Sequence, residues 1–386
     1  MNAAPIFPEP ADGRVDVLIV AGEHSGDEHA ATMLRGLLDR ATGMAVAALG
    51  GPQLAAAGAQ LLHDLTASSV VGLVEVLKNY SYFRALLDET IRWIAAHRPR
   101  VVCLVDYPGF NLRLAAALRE RGLSAKGGGA IRVVYYISPQ IWAWKAGRRF
   151  TMARDLDAMA VIFPFEPACY ADTTLPVEFV GHPFLGPGYV PPVAYDPAGP
   201  ILLLPGSRQQ AVARIFPRLL AGHAAFGERE AVVLYPSGDI LEELRRANPP
   251  VQLRLLPVVE RRRGLSAAPV GAAAVLTSSG TMSMHCALAG IPGAISYRAN
   301  PLTYAIGRLL VRVEYLGIAN LILGEAMYPE YIQGAATPAA LAAELRDCVH
   351  HAARQTATAA QAQRLRVMLA GPATGTAADW LGRQVD

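Results

Sequence analysis

Lysine is nearly missing from this chain. Only Lys78, Lys126 and Lys145 interrupt a basic complement of 35 residues that is otherwise arginine, against 32 acids. A formal charge of +3 excludes a strong polyelectrolyte, so no nucleic-acid partner is expected. Any cationic surface is built from guanidinium groups, which grip phosphate bidentately. Cysteine is also scarce. Cys103, Cys169, Cys286 and Cys348 lie far apart among apolar neighbours and form no CxxC pair. That excludes a metal-ligand spacing and predicts buried free thiols in a reducing compartment. Charged residues are only 17% of the chain and apolar ones 52%, which excludes disorder. No uninterrupted apolar run reaches about 18 residues, so no membrane-spanning helix is expected. Met1 to Gly13 has no apolar h-region and reads as a short tail rather than a signal peptide. There is no G-x-x-x-x-G-K-[ST] and no G-x-G-x-x-G, which removes a Walker A loop and a dinucleotide fingerprint. No internal repeat or low-complexity tract stands out.

What is present is a strand-and-helix alternation. Val15 to Ala21 is an apolar strand that runs into Gly22-Glu-His-Ser-Gly-Asp27 and then a helical stretch. Ala45 to Leu49, Arg100 to Val105, Ile131 to Ile137, Met159 to Phe163 and Val177 to Val180 read as further strands. Short apolar strands separated by helices predict a parallel sheet covered on both faces. A proline- and glycine-rich stretch from Pro183 to Pro200 breaks the pattern and reads as a linker. Strands then resume at Ile201 to Leu204, Ala231 to Tyr235, Val251 to Leu256, Ala272 to Thr277 and Gly293 to Tyr297. The expectation is two α/β domains in series with a cleft between them. Their bounds are 14–185, a linker at 186–199, and 200–350, with a helical segment at 351–386 packing back on an N-terminal domain.

Ligands in open parallel sheets gather at the carboxyl ends of strands. There stand Gly22 to Asp27, Gly50-Gly51, Asp106, Ser138-Pro139, Gly181-His182, Gly206-Ser207-Arg208 and Ser278-Ser279-Gly280-Thr281. The last two are anion-friendly turns: small residues, hydroxyls and helix-start N–H groups, plus one guanidinium. Either alone is better explained by an ordinary helix cap; two in one domain point to a phosphorylated ligand. Asp106 ends an apolar strand, where a carboxylate serves equally as a general base or as a cap for the turn that follows. Asp155-Leu-Asp157 has the form of a DxD metal signature but sits at the wrong end of a strand and reads as solvated charge. His182 reads as a hydrogen-bonding residue at the domain boundary rather than a catalyst. Val70 to Leu87 and Tyr304 to Leu323 are apolar stretches flanked by arginine, suited to a membrane interface or, more plainly, to core helices.

Taken in order, these blocks resemble the lipid-A-disaccharide synthases, glycosyltransferases of GT-B architecture. The matching residues are Ala21 to Asp27, Gly72 to Leu77, Asp106-Tyr-Pro-Gly-Phe-Asn111, Tyr136-Ile-Ser-Pro-Gln-Ile-Trp-Ala-Trp144, Phe163-Pro-Phe-Glu166, Phe179 to Pro183, Leu204-Pro-Gly-Ser-Arg208, Ser279-Gly-Thr281, Tyr297-Arg298 and Asn320-Leu321.

The resemblance implies two Rossmann-like domains and inverting transfer of 2,3-diacylglucosamine from its UDP conjugate to the 6-hydroxyl of 2,3-diacylglucosamine 1-phosphate. It implies no metal and no cofactor. Asp106 would be the base. Gly206, Ser207, Arg208, Ser279, Gly280, Thr281, His285 and Asn320 would lie on the donor side, and Glu23, Ser25, Asp27, Asn111 and Ser138 on the acceptor side. It also implies a cytoplasmic protein, peripheral on the inner membrane, and a homodimer with exchanged C-terminal segments. Gly109 stands where the family usually has a second acid. His285 stands where it usually has a ribose-gripping glutamate. Two alternatives follow: a diverged GT-B enzyme with another nucleotide sugar, or a paralogue that binds lipid or nucleotide without catalysis.

Overall fold

Runs such as VLIVA and VVCLV have no polar face, so they can pair only where helices cover both sides of the sheet. The computed structural model describes residues 5–41, 43–66, 80–186, 189–250, 252–258, 268–300, 304 and 314–385. It divides into two units, Met1–Pro183 with Ala370–Asp386, and Phe184–Leu369.

In the first unit the strands are β1 (Val17–Ala21), β2 (Val46–Gly50), β3 (Gln60–Asp64), β4 (Val101–Val105), β5 (Arg132–Tyr136), β6 (Ala158–Val161) and β7 (Val177–Phe179). They form one parallel sheet in the order β3-β2-β1-β4-β5-β6-β7. The helices described between them are α1 (His24–Leu38), α2 (Pro52–Ala56), α3 (Tyr80–His97), α4 (Pro108–Glu120) and α5 (Arg148–Asp155). Leu18, Val20, Val102, Leu104, Leu114, Leu118 and Tyr135 share one core with Trp93 and Ile94 of α3. Each such side chain contributes roughly 1.5–3 kcal/mol by leaving water.

The second unit holds β8 (Val193–Tyr195), β9 (Ile201–Leu204), β10 (Ala231–Tyr235), β11 (Arg254–Pro257), β12 (Val270–Ala272), β13 (Ala274–Thr277), β14 (Gly293–Tyr297) and β15 (Glu330–Ile332). Six of these make a parallel sheet in the order β11-β10-β9-β13-β14-β15, while β8 and β12 pair separately. Its helices are α6 (Gln209–Phe226), α7 (Gly238–Arg246), α8 (Thr281–Leu288), α9 (Ile318–Leu323), α10 (Pro338–His350) and α11 (Ala352–Leu369). Leu203, Phe216, Leu219, Leu341 and Leu345 form its core.

The apolar strands lie where the alternation places them, to within three residues at either end. The short β3, β8, β12 and β15 do not announce themselves, because they are half-buried or only three residues long. The boundaries also differ from those expected. Val193 to Tyr195, inside the expected linker, pair with β12. The C-terminal segment divides: α11 packs on α8 and α9 in the second unit, and only the residues after Leu369 join the first. There α12 (Ala377–Val385) buries Trp380 and Leu381 on α1. Among the described residues no helix is long and apolar enough to cross a membrane.

Candidate active site

Both sheets run 3-2-1-4-5-6 in chain order, the first with one further strand. Each therefore reverses direction between its first and fourth strands, the point at which open parallel sheets take ligands, outside the carboxyl ends of the strands. In the first unit the reversal lies between β1 and β4; in the second, between β9 and β13.

At the first reversal, β4 ends in Asp106 and Tyr107, both in left-handed backbone, with φ 45° and 49°. Two consecutive non-glycine residues in this region store roughly 1–3 kcal/mol each, and persist only when their surroundings impose it. Three bonds do so. The Asp106 N–H donates to the Tyr136 carbonyl at 3.0 Å. The Asp106 carbonyl accepts from Asn111 Nδ2 at 2.7 Å and from the Tyr135 hydroxyl at 2.5 Å. Pro108 then begins α4 at its first position, where a missing N–H costs nothing. The Tyr107 ring lies over Gly22, where a β-carbon would come within 2.2 Å of it, so the β1–α1 turn must have glycine there. Burial, then the charges of Glu23 and Tyr82, push the Tyr107 phenol up to about 12. Glu23, half-buried before α1, thus belongs to the surroundings of the Asp106 turn.

The other acceptor-side candidates divide. Ser25 is half-buried in the first turn of α1. Asp27 is buried, and its carboxylate accepts from the N–H groups of Gly51, Gln53 and Leu54 at 2.8, 2.9 and 3.2 Å. It caps the start of α2. Asn111 is fully buried and donates to the carbonyls of Val20, Val105 and Asp106, clamping the ends of β1 and β4 together. Ser138 is buried and bonds the Tyr170 hydroxyl at 2.6 Å. Gly109 is exposed, and a β-carbon there would meet nothing within 4 Å, so the missing acid leaves open space.

At the second reversal the two anion-friendly turns lie side by side. Leu204 of β9 is in register with Thr277 of β13, and the Ser278 N–H donates to the Leu204 carbonyl at 2.8 Å. Gly206 has φ 115°, a conformation open to glycine, and sits over Ser278. Ser207 and Arg208 are exposed, with Arg208 at the N-cap of α6. Ser279 and Gly280 are half-buried and Thr281 exposed, where α8 opens without a side-chain cap. Such a helix start leaves N–H groups to be met by solvent or by an anion.

Two of the donor-side candidates are buried and already have protein partners. His285 is 2% exposed; its ring stacks on Phe184 at 3.9 Å between centroids, and Nδ1 bonds the Tyr189 hydroxyl. It sits inside an aromatic stack, as an apolar helix face requires. Asn320 is fully buried: Nδ2 donates to the Tyr328 carbonyl and Glu330, and Oδ1 accepts from the Tyr328 N–H. Its amide fastens α9 to β15. The reading of Asp155 as solvated charge fails. That carboxylate is buried against Arg119 at 2.6 Å and Arg154 at 2.8 Å, and Asp157 accepts from the Val133 N–H. His182 is buried against Phe163, and desolvation, then the His29 charge, lowers its pKa to about 3. Cys103, Cys286 and Cys348 are buried free thiols, and Cys169 is a half-buried one. Residues 70–79 and 305–313 of the two apolar arginine-flanked stretches, Gly72 to Leu77 among them, lie outside the described residues.

The residue reading missed Tyr135, whose hydroxyl holds the Asp106 carbonyl; the signal was a tyrosine pair ending the strand beside β4. It also missed Glu166. This carboxylate is buried, accepts from the Phe163 N–H at 3.0 Å and Trp142 Nε1 at 3.3 Å, and is pushed up to about 7 by desolvation.

Comparison with known proteins agrees with this geometry. The fold is that of GT-B glycosyltransferases. The spinosyn rhamnosyltransferase SpnG with thymidine diphosphate superposes with a TM-score of 0.56 at 14% identity, covering 96% of this chain and 100% of that one. CalG4, the calicheamicin glycosyltransferase, gives 0.56 at 14%, covering 96% and 98%. By sequence, the lipid-A-disaccharide synthase of Geobacter metallireducens is 36% identical over 340 residues, 85% of this chain and 86% of that protein. The one of Syntrophus aciditrophicus is 35% identical over 374 residues, 92% and 94%. The lipid-A-disaccharide synthetase family model matches residues 17–373, and the chain belongs to that family.

Proposed function

We propose that this chain is a glycosyltransferase that moves 2,3-diacylglucosamine from UDP to the 6-hydroxyl of 2,3-diacylglucosamine 1-phosphate. The products are a β-1,6-linked tetraacyl disaccharide 1-phosphate and UDP. The observation that carries this reading is the span of the family match, 17–373, which takes in the turns at both sheet reversals.

In this reading Asp106 accepts the proton of the 6-hydroxyl as that oxygen bonds to the anomeric carbon. The bond from that carbon to the UDP oxygen breaks on the opposite face, which inverts the centre. The charge arriving on UDP is met by Arg208 and by the N–H groups of the Gly206–Arg208 and Ser279–Thr281 turns. Asn111 and Tyr135 hold the base by its main chain. The acyl chains of both substrates place the work at a membrane surface, so the protein is peripheral on the cytoplasmic face of the inner membrane. A homodimer belongs to the same reading.

The test is to mix purified protein with both substrates in detergent and weigh the products by mass spectrometry. A tetraacyl disaccharide 1-phosphate, with one UDP per disaccharide, is expected. A second reading, a different nucleotide sugar, is favoured by one observation: His285 is enclosed by Phe184 and Tyr189 and offers no carboxylate to a ribose. Product from another UDP-sugar, and none from the diacyl donor, would select it.

A further inference from the structure

The segment leaving β5 carries a cation cluster with no acid paired to it among the described residues. Trp144 is 39% exposed. Lys145 Nζ lies 4.5 Å from its ring centroid and the Arg148 guanidinium carbon 5.0 Å from it. The neighbouring Arg149 is neutralised by Asp172 at 2.6 Å. Among the described residues, neither Lys145 nor Arg148 pairs with a carboxylate. An aromatic face holds a cation through its quadrupole without cancelling the charge, so both charges stay available. The site also pays a backbone cost, since Lys145 is in left-handed conformation at φ 53°. Arg148 opens α5, whose first turn has no acid, so the positive end of the helix adds to the two cations instead of opposing them.

The segment that carries this cluster leaves β5 after Tyr136, whose carbonyl accepts the Asp106 N–H at 3.0 Å, and the neighbouring Tyr135 hydroxyl donates to the Asp106 carbonyl. A group bound at Lys145 and Arg148 is thus held on the segment that follows the strand bonded to the Asp106 turn. We propose that Lys145 and Arg148, held on the face of Trp144, form the subsite for the phosphate monoester of the acceptor. Two cations match a phosphate that is close to dianionic at neutral pH. The phosphate is bound and not transferred, so no bond to it changes. The identity of the molecule that carries the phosphate rests on the function proposed above.

The test compares wild type with Lys145→Gln/Arg148→Gln, both checked by circular dichroism. Each is given 2,3-diacylglucosamine 1-phosphate and, separately, its dephosphorylated form. The ratio of kcat/KM for the two acceptors is expected to fall by roughly ten- to a hundred-fold in the variant, the size of a lost charge-assisted contact. Arg148→Lys with Lys145 intact should recover part of it. An unchanged ratio overturns the proposal, even if overall activity drops. If wild type makes no disaccharide, the function reading falls and the subsite is read separately, by calorimetric titration with glucosamine 1-phosphate. Binding by wild type but not by the variant then supports the phosphate subsite, and equal binding or none overturns it. Sedimentation with phosphatidylglycerol vesicles separates the other source of phosphate. A variant that loses the vesicles yet keeps the acceptor ratio assigns the cluster to the bilayer and overturns the proposal.

Discussion

Asn111 Nδ2 donates to the main-chain carbonyl of Asp106 across 2.7 Å, while the same amide bonds the carbonyls of Val20 and Val105. One buried side chain thus ties β1, β4 and the left-handed turn into a single unit. Asn111→Ala removes the two amide protons that these three carbonyls share. The expected result is a stability loss of about 1–3 kcal/mol together with a fall in kcat and little change in KM for the donor. Denaturant melts and steady-state kinetics check this. Lost stability with kcat intact would make Asn111 a scaffold residue alone.

A ribose-facing glutamate cannot simply be restored at position 285. His285 lies between Phe184 and Tyr189, so His285→Glu buries a carboxylate among rings. We expect destabilisation of about 3 kcal/mol and no tighter UDP binding, read by denaturant melts and by calorimetry. Tighter UDP binding at unchanged stability would contradict the buried placement.

Arg208 is exposed at the turn after β9, beside the Ser279–Thr281 turn. Arg208→Ala should weaken UDP binding by roughly ten- to a hundred-fold, as loss of a charged hydrogen bond requires, without lowering the melting temperature. UDP titration at fixed salt checks it, and unchanged affinity would remove Arg208 from the donor side.

Glu166 makes stability depend on pH in a stated direction. Its folded pKa, about 7, exceeds the ordinary 4.5, so between these values the folded state holds a proton that the unfolded state has lost. Stability therefore falls as pH rises from about 4.5 to about 7, by roughly 3 kcal/mol in all. His182 acts oppositely: lowered to about 3 from 6.5, it weakens the fold as pH falls below 6.5. The two nearly cancel between about pH 4.5 and 6.5, so Glu166→Gln, which removes only the Glu166 contribution, should gain stability relative to wild type as pH rises from about 4.5 to about 7. Melts of the two proteins between pH 4 and 8 test this, and parallel curves would contradict it.

The sequence made much of this legible, for identifiable reasons. β1, β4 and β9 are fully buried, so their composition alone marks them. Chain order then places Asp106 and the two anion-friendly turns at strand ends. What stayed hidden depends on partners remote in sequence. Asp155 is a buried ion pair because Arg119, 36 residues away, folds against it. His285 is enclosed by Tyr189, 96 residues away. Asn320 carries no local sign that Tyr328 and Glu330 will use its whole amide. Polar residues at motif positions thus split into those left exposed and those that hold the backbone, and only packing separates them.

The most direct measurement is Asp106→Asn against wild type, with disaccharide product read by mass spectrometry and UDP binding by calorimetry on the same preparations. The substitution keeps the shape and the main-chain bonds from Asn111 and Tyr135 but removes the proton acceptor. The account predicts UDP binding equal to wild type and turnover reduced by at least about 10²-fold. Disaccharide formed by the variant at the wild-type rate would contradict it.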